Sequence, residues 1–200
     1  MKSLRSSEVD TICDKLEKDV FFISTWKGVV AAKNPCDAWI YQEIIWEQKP
    51  DLILETGSFR GGGGLFLASL LDMVGAGEVI SVDTINYDKP AHPRITWITA
   101  NSTQADFISY VVKKARGKRC MVILDSDHNH EHVYEELLAF HDLVAPNLYL
   151  IVEDTWWHPG SDGPYVAVQK FLAKDPPFKI DNSKERYLLT NNPSGYLLRV

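Results

Sequence analysis

The sequence predicts a doubly wound α/β domain, in which helices cover both faces of a mostly parallel sheet. Short hydrophobic segments typical of buried strands alternate with segments whose apolar residues recur at three- and four-residue spacing. The connections between these segments are short, as in sheets whose successive strands lie close together. Near the carboxyl end, strand-like segments follow one another without a helix between them, which predicts antiparallel strands at one edge.

The first 50 residues are predicted to form a helical segment that precedes the sheet. Apolar residues at helical spacing predict a helix over residues 8–23, whereas residues 24–36 carry no decisive pattern. Asn34 followed by Pro35 marks the start of a second helix, which ends at about Gln48.

Residues 51–200 carry the alternation of strands and helices, and we expect residues 1–200 to form a single domain around this core. A glycine-rich segment follows the first strand, and glycines let the backbone approach a ligand closely. The predicted strands are residues 51–55, 78–83, 95–100, 120–124 and 149–152, followed by antiparallel strands at 178–182, 186–190 and 196–200. The predicted helices of the core are residues 65–74, 103–116, 131–143 and 164–173.

Composition and charge narrow the class of protein. The formal net charge of −6 disfavours a non-specific nucleic-acid binder, which usually presents a basic face. The cysteines, Cys13, Cys36 and Cys120, show no CxxC spacing, which fits a reducing compartment. No apolar run resembles a signal peptide or approaches the roughly 20 residues of a membrane span. We therefore expect a cytoplasmic protein without nucleic-acid or membrane partners, and the sequence leaves a homo-oligomer open.

Acidic residues follow two hydrophobic strands at the points where these strands end. Asp125 and Asp127 come after the fourth predicted strand, and Glu153 and Asp154 come after the fifth. Parallel strands deliver their carboxyl ends to one edge of the sheet, so these acids should meet there. At ~4 Å and an effective dielectric constant of ~20, two carboxylates repel by roughly 4 kcal/mol, so the cluster needs a cation or protons. Oxygen ligands favour Mg²⁺ or Ca²⁺, and Mn²⁺ next; the alternative is ordinary solvated acids at strand ends.

The loop after the first strand, the expected ligand site of such a sheet, carries an acid and a glycine at informative positions. Glu55 precedes Gly57, and neither a GxGxxG pattern nor a P-loop is present. A carboxylate at this point suits a cationic amino group rather than a pyrophosphate, and Asp83 at the end of the second strand suits a ribose diol. A nucleoside with a charged amino-acid end and no phosphate describes S-adenosylmethionine. The alternative is a structural glycine turn and an ordinary strand-end aspartate.

Further residues extend the predicted site beyond these acids. The full predicted cofactor-binding set is Glu55, Gly57, Ser58, Asp83, Ser102 and Asp125. His128 is predicted to act as general base toward a substrate hydroxyl, with His130 close enough to substitute, unless the metal alone acidifies that hydroxyl. Trp156, Trp157 and His158 either wall a substrate pocket or form a packed loop.

Several of these segments resemble the cephalosporin hydroxylase family. The resemblance covers roughly residues 50–200 and rests on ILETG at 53–57, MVILDSDH at 121–128, YLIVEDT at 149–155, and the tail segments RYLLT and GYL. It implies a Rossmann-like class I methyltransferase that uses S-adenosylmethionine and Mg²⁺ and acts on antibiotic or sugar hydroxyls. It also implies that Asp127, Glu153 and Asp154 are the metal ligands.

The first aspartate of this metal site stays open between two residues. The spacing in the more distant catechol O-methyltransferase type matches Asp125, which lies 28 positions before Glu153. We prefer Asp127 for the metal and place Asp125 near the amino group of the cofactor.

Together, the sequence predicts a metal-dependent S-adenosylmethionine O-methyltransferase. Its substrate would be a hydroxylated small molecule, such as a sugar, an antibiotic or another secondary metabolite. The alternatives are an NAD-dependent oxidoreductase and a non-catalytic nucleoside-binding module. Glu55 and the missing GxGxxG pattern count against the first alternative, and the acid cluster counts against the second.

Overall fold

A computed structural model describes residues 11–12, 15, 18–156, 162–187 and 189–200. The predicted helix over residues 8–23 lies partly outside these ranges. Its described residues up to 19 are helical, and a 3₁₀ turn follows at Phe21–Ile23. The undecided residues 24–36 contain a hairpin of β1 (Thr25–Trp26) and β2 (Val29–Val30). Among the described residues, no helix has both the length and the apolar character that a membrane crossing requires.

The core is a seven-stranded sheet that is parallel except at one edge. Its strands are β3 (Leu52–Thr56), β4 (Glu78–Asp83), β5 (Ile95–Thr99), β6 (Cys120–Leu124), β7 (Tyr149–Val152), β8 (Phe178–Ile180) and β9 (Tyr196–Arg199). They lie in the order β5-β4-β3-β6-β7-β9-β8, with β9 antiparallel to both of its neighbours. The predicted fold class is confirmed. Because the chain order reverses between β3 and β6, their carboxyl ends flank the crevice where such sheets bind ligands.

Helices cover both faces of the sheet, whose central strands are fully buried. The helices are α1 (Pro35–Gln48), α2 (Gly62–Val74), α3 (Ala105–Ala115), α4 (His130–Phe140) and α5 (Pro164–Leu172). α1 and α2 share one core with Ile53 of β3, and the other three helices share the opposite core with Leu54. Helix α1 begins as predicted, since the Asn34 side chain accepts a hydrogen bond of 2.9 Å from the Cys36 amide.

The start of α2 differs from the prediction. The helix begins at Gly62 rather than at residue 65, so three glycines lie within its first turn. A side chain on Gly62 would overlap the carbonyl oxygen of Val30, and one on Gly63 would lie 2.7 Å from Glu55 Oε1. Glycine disfavours helix by about 1 kcal/mol, so its propensity predicts a later start. Here the missing side chains admit β2 and a buried acid of the chain itself.

The predicted strand at residues 186–190 is also wrong for the residues that the structure describes there. A 3₁₀ turn at Asn182–Glu185 precedes them, and Arg186 pairs with Glu43 of α1. Asp37, in the first turn of α1, accepts hydrogen bonds from Thr190 Oγ1 at 2.5 Å and from the Asn191 amide at 2.8 Å. The Leu189 carbonyl also accepts a hydrogen bond of 3.0 Å from Asn34 Nδ2, so this tail bonds to the start of α1 instead of a neighbouring strand.

Candidate active site

A cavity of about 560 Å³ opens at the carboxyl ends of β3, β4 and β6. The structure brings together around it the predicted catalytic histidine and all the predicted cofactor-binding and metal-binding residues except Glu153. These lining residues are Glu55, Gly57, Ser58, Asp83, Ser102, Asp125, Asp127, His128 and Asp154. The walls also include Phe21 and Phe22 from the amino-terminal segment, which sequence patterns did not indicate.

The glycine loop after β3 holds a buried acid beneath the cavity. Gly57 has φ of +83°, and a side chain there would overlap the carbonyl oxygen of Asp125. The Glu55 side chain lies below it, with Oε2 bonded to the hydroxyl of Ser81, which is itself 2.7 Å from Ser58 Oγ. Burial raises the pKa of Glu55 to about 7, although the charge of Lys33 opposes this shift. A second cation in the cavity would therefore stabilise the ionised carboxylate.

Asp83 is fixed at the end of β4 by backbone amides. Its Oδ2 accepts a hydrogen bond of 2.7 Å from the Phe59 amide, and its Oδ1 accepts one of 2.9 Å from the Ile85 amide. Each carboxylate oxygen can accept a further hydrogen bond, as a diol acceptor requires. Ser102, after β5, is buried with Oγ 3.1 Å from His132 Nε2.

Three groups with metal-ligating atoms converge where β6 and β7 end. One ligand atom from each of Asp125, His128 and Asp154 lies within 4.8 Å of the others. His128 Nε2 is 3.3 Å from Asp154 Oδ2 and 3.7 Å from Asp125 Oδ1. Burial raises the pKa of Asp154 to about 6, and repulsion from Asp125 adds to the effect. Burial opposes the charge on His128, but Asp125 and Asp154 outweigh it and raise the pKa of His128 to about 9.

Asp154 is held in place by the carboxyl-terminal tail. Its φ of +53° is unusual for a residue with a side chain. The amide of Asp154 donates to Asn192 Oδ1 at 3.0 Å, and Asn191 Nδ2 donates to Asp154 Oδ1 at 3.2 Å. Asn192 is fully buried and also donates from Nδ2 to the hydroxyl of Tyr41 at 3.1 Å. Sequence patterns did not indicate this role of the two asparagines.

Asp127 and Glu153 do not belong to this convergent group. Asp127 is exposed at the rim of the cavity, and its Oδ1 accepts a hydrogen bond of 2.8 Å from the Asn129 amide. Glu153 is buried, and its Oε1 is 2.6 Å from Lys33 Nζ. Burial, with repulsion from Asp125, raises the pKa of Glu153 to about 8. Metal ligation by Asp127 and Glu153 stays a prediction.

Lys33 is a charged residue of the site that sequence reasoning also missed. Its Nζ lies 2.5 Å from Asp125 Oδ2 and 2.6 Å from Glu153 Oε1. The clustered acids predicted that a cation or protons were needed, but no local pattern indicated a lysine 92 positions before Asp125. Of the other predicted groups, His130 pairs with Asp162, and Trp157 and His158 lie outside the described residues.

The donor set fits a divalent cation. Two carboxylates and one imidazole suit Mn²⁺ well, whereas Mg²⁺ favours oxygen donors. The ammonium group of Lys33 against two of the acids shows that this end of the cavity accommodates positive charge. The acids predicted for the cofactor, Glu55 and Asp83, line the same cavity, and their roles toward an amino group and a ribose diol stay a prediction.

This combination of a mixed seven-stranded sheet, an acid under the first loop, an acid after β4 and a carboxylate centre defines an S-adenosylmethionine-dependent O-methyltransferase of the class I fold. A family model described as Rhamnosyl O-methyltransferase/CmcI matches residues 18–200, and the chain belongs to this family. The resemblance to cephalosporin hydroxylases is thus confirmed, and the family membership decides against the oxidoreductase alternative.

Individual relatives and solved structures agree with this membership. The chain is 33% identical over 195 residues to a rhamnosyl O-methyltransferase of Mycobacterium leprae (strain TN), covering 90% of this chain and 85% of the relative. It is 31% identical over 194 residues to the enzyme of the same name from Mycobacterium bovis (strain BCG / Pasteur 1173P2), covering 88% and 78%.

Solved structures share the fold at lower identity. The apo structure of CmcI-N160 superposes with a TM-score of 0.74 at 21% identity, covering 100% of this chain and 87% of that one. The structure of CmcI-D160 with Mg and SAM gives a TM-score of 0.72 at 21% identity, covering 100% and 88%. CalS11, a TDP-rhamnose 3′-O-methyltransferase, gives 0.60 at 14% identity, covering 100% and 96%.

Proposed function

We propose that this O-methyltransferase methylates a hydroxyl of a sugar carried by a small molecule, with a divalent cation bound beside the cofactor. The observation that carries the proposal is one cavity that joins the cofactor acids, Glu55 and Asp83, to the group of Asp125, His128 and Asp154. The names of the relatives, rhamnosyl O-methyltransferases, support a deoxysugar as the acceptor.

In this proposal, Glu55, Asp83 and the residues beside them bind and orient the cofactor. Glu55 would hold the amino group of S-adenosylmethionine, and Asp83 would accept hydrogen bonds from the ribose hydroxyls. Ser58 and Ser102 supply further hydroxyl groups, both buried at the cavity wall. Such fixed contacts hold the methyl donor in one orientation, which removes much of the entropic barrier to transfer.

In the same proposal, the group around Asp154 holds the cation and orients the acceptor hydroxyl. When bound, a divalent ion would lower the pKa of a substrate hydroxyl, and S-adenosylmethionine would supply an electrophilic methyl group. We assign Asp125, His128 and Asp154 to the cation, because their ligand atoms already converge. Asn191 and Asn192 keep Asp154 in its unusual conformation. Phe21 and Phe22 add apolar surface to the lining of this cavity.

A transfer assay with labelled cofactor tests the proposal. The purified protein, methyl-labelled S-adenosylmethionine and Mn²⁺ or Mg²⁺ are incubated with an alkyl rhamnoside, a nucleotide-activated rhamnose or catechol. We expect label on a rhamnose acceptor, and loss of transfer both in EDTA and in Asp154→Asn. Transfer to catechol with inert sugars would overturn the sugar acceptor. Full activity in EDTA would overturn the metal centre instead.

A further inference from the structure

The ammonium group of Lys33 reaches the acids of the active site from the segment between β2 and α1. This segment crosses the first turn of α2, where a side chain on Gly62 would overlap the backbone of Val30 and one on Gly63 would lie 3.2 Å from Lys33 Cε. The glycines therefore admit both the segment and the stem of the lysine. The Lys33 side chain is only 9% exposed, so its contacts lie inside the site rather than on its rim.

Lys33 and His128 face different oxygens of the acid between them. Lys33 Nζ lies 2.5 Å from Asp125 Oδ2 and 2.6 Å from Glu153 Oε1. The other oxygen, Asp125 Oδ1, lies 3.7 Å from His128 Nε2. The ammonium group and a divalent ion held with His128 can therefore lie on opposite sides of one carboxylate.

The charge of Lys33 is maintained by these acids. Burial opposes a charged lysine, but Asp125, Glu153 and Glu55 together raise the pKa of Lys33 above its ordinary value. A permanent positive charge next to Asp125 and Glu153 has two consequences. It neutralises acids that would otherwise repel each other, and it repels a second cation nearby.

We infer that Lys33 is a positioning residue that acts as a resident cation: it holds Asp125 and Glu153 in place and sets how tightly the neighbouring centre binds a divalent ion. This inference rests on the proposed metal centre. A substitution that removes the charge of Lys33 also removes its repulsion of the divalent ion, and this gain should outweigh the loss of two hydrogen bonds to the acids. The affinity for the divalent ion should therefore rise about ten- to a hundredfold. The metal-free protein should become less stable, because two buried acids lose their partner.

Calorimetric titration of Mn²⁺ into the metal-stripped full chain tests this role, together with melting temperatures in EDTA. The variants are Lys33→Met, which removes the charge, Lys33→Arg, which keeps it, and Lys113→Met, which removes an exposed charge from α3 as a control. We expect Lys33→Met to melt at a lower temperature in EDTA and to bind Mn²⁺ more tightly than the wild type. Lys33→Arg and Lys113→Met should bind Mn²⁺ as the wild type does.

The outcomes separate this inference from the metal centre itself. If the wild type binds Mn²⁺ but Lys33→Met binds it with unchanged or weaker affinity, the role of Lys33 is overturned and the metal centre stays intact. Absence of Mn²⁺ binding in all variants would overturn the centre and the inference together. Lys33→Gln, which keeps an N–H donor toward both acids, provides the same comparison if Lys33→Met does not fold.

Discussion

At the scale of single residues, Asp125 contacts both the glycine loop after β3 and the proposed cation-binding group. Its carbonyl oxygen occupies the space that a side chain on Gly57 would fill, its Oδ2 contacts Lys33, and its Oδ1 faces His128. The glycine loop and the cation-binding group are thus anchored on the same strand end. A displacement of β6 would disturb both ends of the cavity at once.

His128 gives a prediction at this scale that separates two roles. As a member of the cation-binding group, His128→Ala should weaken Mn²⁺ binding at least about tenfold, the loss typical of groups around a metal. The measurement is Mn²⁺ titration by calorimetry, with S-adenosylhomocysteine titration as a check on the cofactor end. His130→Ala is the control, because His130 pairs with Asp162 rather than with the group.

The general-base role predicts a different result for the same variant. A base contributes about 10²–10⁴-fold to the chemical step without holding the ion. Unchanged Mn²⁺ affinity in His128→Ala with a slow single turnover would therefore contradict ligation and favour the base.

At the scale of structural elements, the carboxyl-terminal tail holds Asp154 of the proposed metal centre. The tail folds across the start of α1 through Asp37 and then contacts Asp154 through Asn191 and Asn192. The hydroxyl of Tyr41 in α1 accepts a hydrogen bond from Asn192. One helix and one tail, far apart in sequence, thereby fix the turn after β7.

Asn192→Ala should expose the importance of this tail. Loss of Asn192 Oδ1 leaves the buried Asp154 amide without its acceptor, and Tyr41 loses one of its hydrogen bonds, which together should cost about 1–3 kcal/mol in unfolding free energy. Mn²⁺ affinity should fall with it, while S-adenosylhomocysteine affinity changes little, because Glu55 and Asp83 lie elsewhere. Urea unfolding and calorimetry measure these effects, with exposed Asn182→Ala as the matched control. Equal loss of both ligands would contradict a local effect.

The elements also show how far sequence patterns reach. β4, β6 and β7 have the predicted bounds, because a buried strand is hydrophobic whatever packs against it. The start of α2 and the tail at residues 186–190 depend on contacts with distant segments, which local propensity does not contain. The site follows the same division. Acids at strand ends could be predicted from topology, whereas Lys33 reaches its partners across 92 and 120 positions.

At the scale of the whole molecule, the active site contains buried carboxyl groups whose negative charge the rest of the fold does not fully compensate. Burial raises the pKa of Glu55 to about 7, that of Glu153 to about 8 and that of Asp154 to about 6. Neighbouring carboxylates raise the pKa of His128 to about 9 despite its burial. All four groups hold protons in the folded chain at pH values where the unfolded chain has released them.

The stability of the metal-free protein should therefore fall as the pH rises. The unfolded carboxyls titrate near pH 4 and the unfolded imidazole near 6.5, so between about pH 5 and 9 the folded state binds more protons than the unfolded state. Asp125, whose pKa is lowered by Lys33 and His128 against its burial, adds stability that is lost only as the pH falls below about 4. Bound Mn²⁺ would replace the protons, so its stabilising effect should grow with pH. Melting temperatures from pH 5.5 to 8, in EDTA and in Mn²⁺, measure both trends, and Asp154→Asn should reduce both. A melting temperature in EDTA that rises across this window would contradict the protonated acid centre.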